Sequence, residues 1–417
     1  MAPTDNDMKP PAHLRMSDLH GFRRLATDAV VGLADLVEAM HHTITRTPGV
    51  FGNAPEGRTT GITGFVYRTV RGVTRFVGGG LDALLGTLTP LLAERRSSSE
   101  REAVLAVLNG VLGDYLEASG NPLAIPMQWR CGAHPLTMTK EALAAAFPQA
   151  GGKVAVLLHG LCMNNLQWQR DGHDHGAALA RDAGYTPLYL HYNTGRHVST
   201  NGREFSDRMQ TLVDAWPVPI EELAIVGHSM GGLVARSAIH CAALGHRNWL
   251  RHLSSVVFLG TPHHGAPMER AGAVADYLIE ISPYSAPLAR LGKVRSAGIK
   301  DLRYGYVQDE DWVKPTPTGT RARRHALPLP LPADVRCFAI AASKQARPAS
   351  PRARVRGDGL VPVASALGQH RDPALSLAIP DDHRFVAYET GHFDLLESPD
   401  VYVRLARWLT ARQAPRR

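Results

Sequence analysis

The stretch Gly227-His228-Ser229-Met230-Gly231 sets a serine between glycines. It directly follows the apolar run from Leu223 to Val226 and precedes an apolar-patterned segment that reads as a helix. That context predicts a sharp strand-to-helix turn that lifts a serine hydroxyl above a sheet, where it acts as a nucleophile. The helix N-terminus beneath it favours developing negative charge. A serine at its ordinary pKa needs a base, and the base needs an acid to hold it. His392 follows the apolar run FVAYE in Gly391-His392-Phe393-Asp394, and Asp358 lies in Gly357-Asp358-Gly359-Leu360-Val361-Pro362. Both positions are predicted at strand carboxyl ends, where such sheets assemble their sites. Asp372, Asp381 and Asp382 are nearer to His392 in sequence, but they fall in a polar loop and read as surface residues. The oxyanion of an acyl-transfer intermediate requires N–H donors. Met230, one residue past the serine, is one candidate, and Leu161 in His159-Gly160-Leu161 is the other.

Other residues invite chemistry but lack its context. Cys162 has no neighbour that marks it as a nucleophile and reads as lining. His173-Asp174-His175 and His263-His264 lack a third and fourth ligand at recognisable spacing, so no metal is expected. His263 and His264 follow a predicted strand and are expected at the active-site rim, and His228 is expected to pack or orient the turn. No cofactor is called for.

The elements that position these groups form a β/α alternation. Short strands are predicted near 127–130 and 135–139, then a helix near 141–147. The run VAVLLHG (154–160) reads as a strand buried on both faces. Helices near 176–182, 203–215, 233–243 and 399–411 alternate with the strands TPLYLHY, LAIVGHS, SVVFLGTP, VRCFAIAA and FVAYE. This is the pattern of βαβ units on a mainly parallel sheet. Residues 265–333 interrupt it as a long insertion.

Residues 1–16 read as a disordered tail, 17–120 as a helical N-terminal domain, and 126–413 as the α/β domain. Apolar stripes recur through Phe22, Leu25, Ala29, Leu33, Leu36 and Met40, and through Ile62, Phe65, Val66, Val73 and Phe76. Arg68, Arg71 and Arg75 fall opposite the second stripe. Such a helix lies on an anionic membrane surface or, with its neighbours, forms a solvated helical layer. A third segment carries Leu81, Leu84, Leu85, Leu88 and Leu91. The last opens with Ser99 and Glu102, a capping-box pattern, before Val104, Leu108, Val111 and Leu112.

Composition bounds the partners. The chain has 417 residues, 4 cysteines with no CxxC pair, and a net charge of +8. A disulfide scaffold and a structural zinc site are not expected. The N-terminus shows no secretory pattern and no stretch reads as a membrane span, so the expectation is a cytoplasmic chain, with membrane association through the N-terminal helices as the variant. No basic recognition helix is evident, so nucleic acid is not an expected partner. The excess charge is local. Residues 289–356 carry 15 basic and 5 acidic groups, whereas 1–125 carry 12 and 13. Arg321, Arg323, Arg324, Arg352, Arg354 and Arg356 form a basic patch expected to draw anionic substrate or lipid to the site mouth.

Taken together, VLLHGL, GHSMGG, FLGTPHHGAP, GDGLVP and GHFDLL resemble the α/β-hydrolase superfamily. Within it the chain is similar to bacterial lipases and esterases and to PGAP1-like serine hydrolases. The resemblance covers about residues 150–410 and implies Ser229 as nucleophile, Asp358 as acid, His392 as base, and Leu161 with Met230 as oxyanion donors. It also implies that 265–333 form a cap. The expected activity is a serine carboxylic-ester hydrolase acting on lipid-like or other hydrophobic esters. Alternatives on the same triad are an intracellular polyester (polyhydroxyalkanoate) depolymerase and a phospholipase or acyltransferase. A non-catalytic scaffold with a relic hydrolase domain is the rival from another class.

Overall fold

The computed structural model describes residues 99–267, 296–313, 326–350 and 355–411. The first three predicted N-terminal helices, the tail and most of the basic patch lie outside the described residues, as does part of the insertion.

The described chain opens with α1 (Ser99–Ala118) and the antiparallel pair β1 (Gln128–Cys131) and β2 (His134–Pro135), followed by α2 (Lys140–Ala146). Then come β3 (Lys153–Leu158), α3 (His175–Ala183), β4 (Thr186–His191), α4 (Val198–Ala215), β5 (Glu222–His228), α5 (Met230–Leu244) and β6 (Leu253–Leu259). Two helices of the insertion, α6 (Ala297–Tyr304) and α7 (Asp309–Val313), precede β7 (Arg336–Ser343), α8 (Val363–Ala366), β8 (Arg384–Tyr388) and α9 (Pro399–Thr410). The eight strands form one sheet in the order β2-β1-β4-β3-β5-β6-β7-β8. From β4 to β8 every neighbouring pair is parallel. This is the predicted mainly parallel sheet flanked by helices.

Burial explains the strand sequences. Every residue of β6 is buried, and β3 and β5 are buried beyond their first residue, because helices cover both faces. Their runs are therefore apolar throughout rather than alternating. α4 begins five residues before its predicted start at Arg203, since Val198, Ser199 and Asn201 are polar or β-branched and hide the helical period.

α1 departs furthest from expectation. The sequence shows one apolar stripe, yet all residues from Arg101 to Val111 are buried. The helix is wedged into the same core as the sheet. Gly110 backs onto Cys162, where an added Cβ would collide with the thiol. Asn193 Nδ2 donates to Gly113 O at 2.9 Å, and Ser296 Oγ donates to Gly110 O at 2.6 Å. Its charged start is neutralised inside: Arg130 Nη1 donates to Glu102 Oε2 at 2.7 Å, with His191 Nε2 3.8 Å from the same oxygen. The last predicted N-terminal helix is thus built into the core of the α/β body.

Candidate active site

Ser229 sits at φ 52°, ψ −120°, a positive φ that a residue with a side chain rarely adopts. The turn is held by Ser229 N–H donating to Leu259 O at 2.8 Å and Gly232 N–H donating to Ser229 O at 3.1 Å. The flanking glycines are required by contact. A Cβ on Gly227 would lie 2.6 Å from Gly232 N, and one on Gly231 would fall on Leu158 O. Met230 is the first residue of α5, so its N–H has no acceptor within the helix.

Asp358 and His392 are brought together from loops after β7 and β8. Asp358 Oδ2 lies 2.7 Å from His392 Nδ1, and both side chains are 1% exposed. Asp358 Oδ1 accepts from Leu360 N–H at 2.9 Å and Val361 N–H at 2.8 Å. These two bonds fix the carboxylate and make it an acceptor only, so the imidazole proton belongs on Nδ1. Nε2 is then a lone-pair acceptor, and it is buried with no hydrogen-bond partner. The ring lies over the end of β6, where a Cβ on Gly260 would stand 3.1 Å from Cε1. His228, which precedes the serine, lies 3.1 Å through Nε2 from His392 O, with the two rings 4.8 Å apart. Burial holds the His228 pKa well below the usual value, so it ties the elbow to the loop of His392 as a neutral ring.

The loop after β3 faces the serine. A Cβ on Gly160 would lie 3.1 Å from Ser229 Cβ, so backbone approaches the serine directly. Tyr192 O–H donates to His159 O at 2.7 Å, and Cys162 N–H donates to Thr194 Oγ1 at 3.0 Å. Leu161 is therefore held between two anchored residues. The Cys162 thiol is buried against α1, and burial pushes its pKa far up, the opposite of an activated nucleophile.

The remaining candidates go elsewhere. Asp372 caps its own turn through Ala374 N–H at 3.0 Å, and Asp381 pairs with Arg384 at 2.8 Å. His173 Nε2 lies 2.7 Å from His175 Nδ1, His175 Nε2 reaches Leu395 O at 2.8 Å, and Asp174 caps α3. Among the described residues no group of three His, Cys, Asp or Glu is placed to hold a metal. Of the six patch arginines only Arg356 is described, and it is exposed. No helix among the described residues is long and apolar enough to cross a membrane. His263 Nδ1 lies 3.4 Å from Arg236 Nη1, and both His263 and His264 line a cavity with that arginine, a residue the sequence gives no reason to single out. Seven positions after Ser229 on a helix, nothing near it in sequence distinguishes it from a solvated arginine.

A strand-turn-helix serine, a buried Asp–His pair and a mainly parallel eight-stranded sheet now stand together. Residues 149–318 match the family model of the PGAP1-like alpha/beta domain. The mainly parallel eight-stranded sheet with its connecting helices is an α/β fold. Similar solved structures include the lipase BlEst2 of Bacillus licheniformis in mature form, at 18% identity over 67% of this chain and 97% of that one, with a TM-score of 0.38. The naproxen esterase of Bacillus subtilis aligns at 16% identity over 62% and 83%, TM-score 0.34. An α/β-hydrolase fold protein of Chitinophaga pinensis aligns at 10% identity over 63% and 91%, TM-score 0.35. No curated protein matches the chain in sequence.

Proposed function

We propose that this chain is a serine carboxylic-ester hydrolase of the α/β-hydrolase kind, acting through Ser229, His392 and Asp358. The observation that carries the reading is the buried Asp358–His392 pair, whose Nε2 has no hydrogen-bond partner, packed against His228, the neighbour of a serine held at a positive φ. In the proposed reaction Ser229 Oγ attacks the ester carbonyl carbon while His392 Nε2 takes its proton. Asp358 keeps the other proton on Nδ1 and stabilises the imidazolium that forms. The Met230 and Leu161 N–H groups serve the oxyanion. Collapse of the intermediate expels the alkoxide, which takes the proton from His392 and leaves an acyl-Ser229. Water then gives a proton to His392 as it attacks the acyl carbon, and the acid is released as Ser229 recovers its proton.

The substrate class proposed is a hydrophobic ester. Met163 and Leu395 border the glycines that face Ser229 and His392, giving the site apolar walls. Replacing Ser229 with Ala should abolish turnover of p-nitrophenyl esters and labelling by a fluorophosphonate while leaving the far-ultraviolet spectrum unchanged; activity retained in that variant overturns the assignment. An ester panel from acetate to triglyceride, phospholipid and polyester reads the substrate class, and a peak at short soluble esters defeats the hydrophobic reading.

A further inference from the structure

A second constellation of buried polar atoms lies about two turns along α5 from the serine. Arg236 is seven residues past Ser229, roughly 10 Å along the helix axis. The residue is 6% exposed, and its guanidinium makes no ion pair among the described residues. Nη2 donates to Leu329 O at 2.9 Å, Nη1 lies 3.4 Å from His263 Nδ1, and Nε has no partner. Burial pushes the Arg236 pKa down to about 10, yet the group stays charged at neutral pH. The carboxylate whose field reaches it is Asp311, and that one is already committed: it accepts from the N–H groups of Val307, Gln308 and Leu327.

The tautomer of His263 follows from its neighbour. An arginine N–H can only donate, so His263 Nδ1 accepts and the ring proton sits on Nε2. That Nε2–H is buried and has no acceptor. His264 Nε2 is likewise without a partner. Arg236, His263 and His264 all line one cavity of about 40 Å³, several times what a single water requires. Val307, Leu327, Leu329 and Leu375 share its lining with the polar side chains of Tyr304 and His370. Pro328 at its mouth is exposed, so the cavity is reached from the surface.

Two buried N–H donors without acceptors, one of them on a cation, are costly unless something accepts from them. A two-oxygen anion fits this demand: a planar carboxylate takes one hydrogen bond from Arg236 Nε and one from His263 Nε2. The lining is mixed, and its leucines and Val307 give an alkyl chain a surface to meet that phosphate would not use. We propose that this cavity is a binding site for a small alkyl carboxylate, seated on Arg236 and His263 and separate from the serine site. The carboxylate could be a free short-chain acid or the acid released by ester cleavage, and both share the group that the donors recognise.

The test is the thermal midpoint of the full chain against sodium butyrate and sodium octanoate, with sodium chloride at matched ionic strength. A saturable rise with the carboxylates and none with chloride is expected, in the wild-type protein and equally in S229A. The S229A arm separates this site from the catalytic reading, because it carries no turnover whichever way that reading falls. Arg236→Met should weaken the response at least tenfold; an equal response in folded R236M, or an equal rise with chloride, overturns the proposal. Should R236M fail to fold, Leu327→Glu, on a half-buried wall, serves instead. Its own carboxylate should occupy the donors, and an undiminished butyrate response in L327E also overturns the proposal. Octanoate binding at least tenfold tighter than butyrate assigns the site to a longer-chain product acid, and equal affinities assign it to short acids.

Discussion

Two buried histidines in this molecule stand beside opposite charges. His392 meets Asp358, so an anion is built into the fold and fixes the ring's proton on Nδ1. His263 meets Arg236, so a cation fixes the proton on Nε2 and no anion is built in. Each arrangement leaves one ring nitrogen without a partner. In the first it is an acceptor, suited to take a proton from a hydroxyl. In the second it is a donor, suited to hold an anion and unable to act as a base. The same side chain is thus set for proton transfer or for recognition by the charge on its far side.

The sharpest way to break this contrast is at the serine. S229A is expected to lower ester turnover by about 10⁶-fold, as loss of a triad nucleophile does in such enzymes. Single-turnover assays should find no acyl-enzyme. Next is Asp358→Asn, which keeps the shape but turns the ring to the wrong tautomer. A fall of about 10⁴-fold in kcat is expected. A fall of less than about tenfold would mean that Asp358 does not set the tautomer.

The buried neutral histidines on both sides make a shared prediction about acid. Desolvation lowers His159, His175 and His264 to about 4, and holds His228 and His263 well below the usual value. Unfolded histidine titrates near 6.5, so below that pH the unfolded chain binds protons that the folded chain refuses. Stability is therefore full above about pH 6.5 and falls as pH drops toward 4, by about 1.4 kcal/mol per pH unit for each fully buried ring. Urea midpoints measured from pH 7.5 to 4.5 should show this fall, and a flat profile would show that these rings are not held neutral. The smallest effect sharpens the recognition half alone. Arg236→Lys keeps the charge and loses the fork, and should weaken butyrate binding about tenfold, or ~1.4 kcal/mol.

How the sequence exposed these two sites differs for a physical reason. The serine turn was legible because backbone sterics demand glycines at fixed offsets around Ser229, Asp358 because it follows a strand buried almost throughout, and His392 because it follows the apolar run of the edge strand β8. The central strands β3, β5, β6 and β7 stood out because they are buried almost throughout, whereas β4 and β8 are half-buried at alternate or most positions. Arg236 left no such trace: its partners lie 27 and 93 residues away, and a lone arginine on a helix is ordinary. His263 and His264 were visible as histidines, but their placement beside Arg236 depends on the crossover from β6 into the insertion, which no local pattern encodes. The period of α1 understates its burial. A helix buried on all sides shows no polar face, so the stripe through Val104, Leu108 and Val111 captured only part of what it buries.

That helix has a consequence for synthesis. α1 leaves the ribosome before any strand of the sheet, yet Asn193 and Ser296, which bond to Gly113 and Gly110, follow 80 and 186 residues later. At ~5–20 residues per second the last of these arrives roughly 10–40 s after the helix itself. For that interval a segment buried from Arg101 to Val111 in the folded protein waits for its walls, and the nascent chain, rather than the folded protein, is where the molecule is most exposed to aggregation and to chaperones.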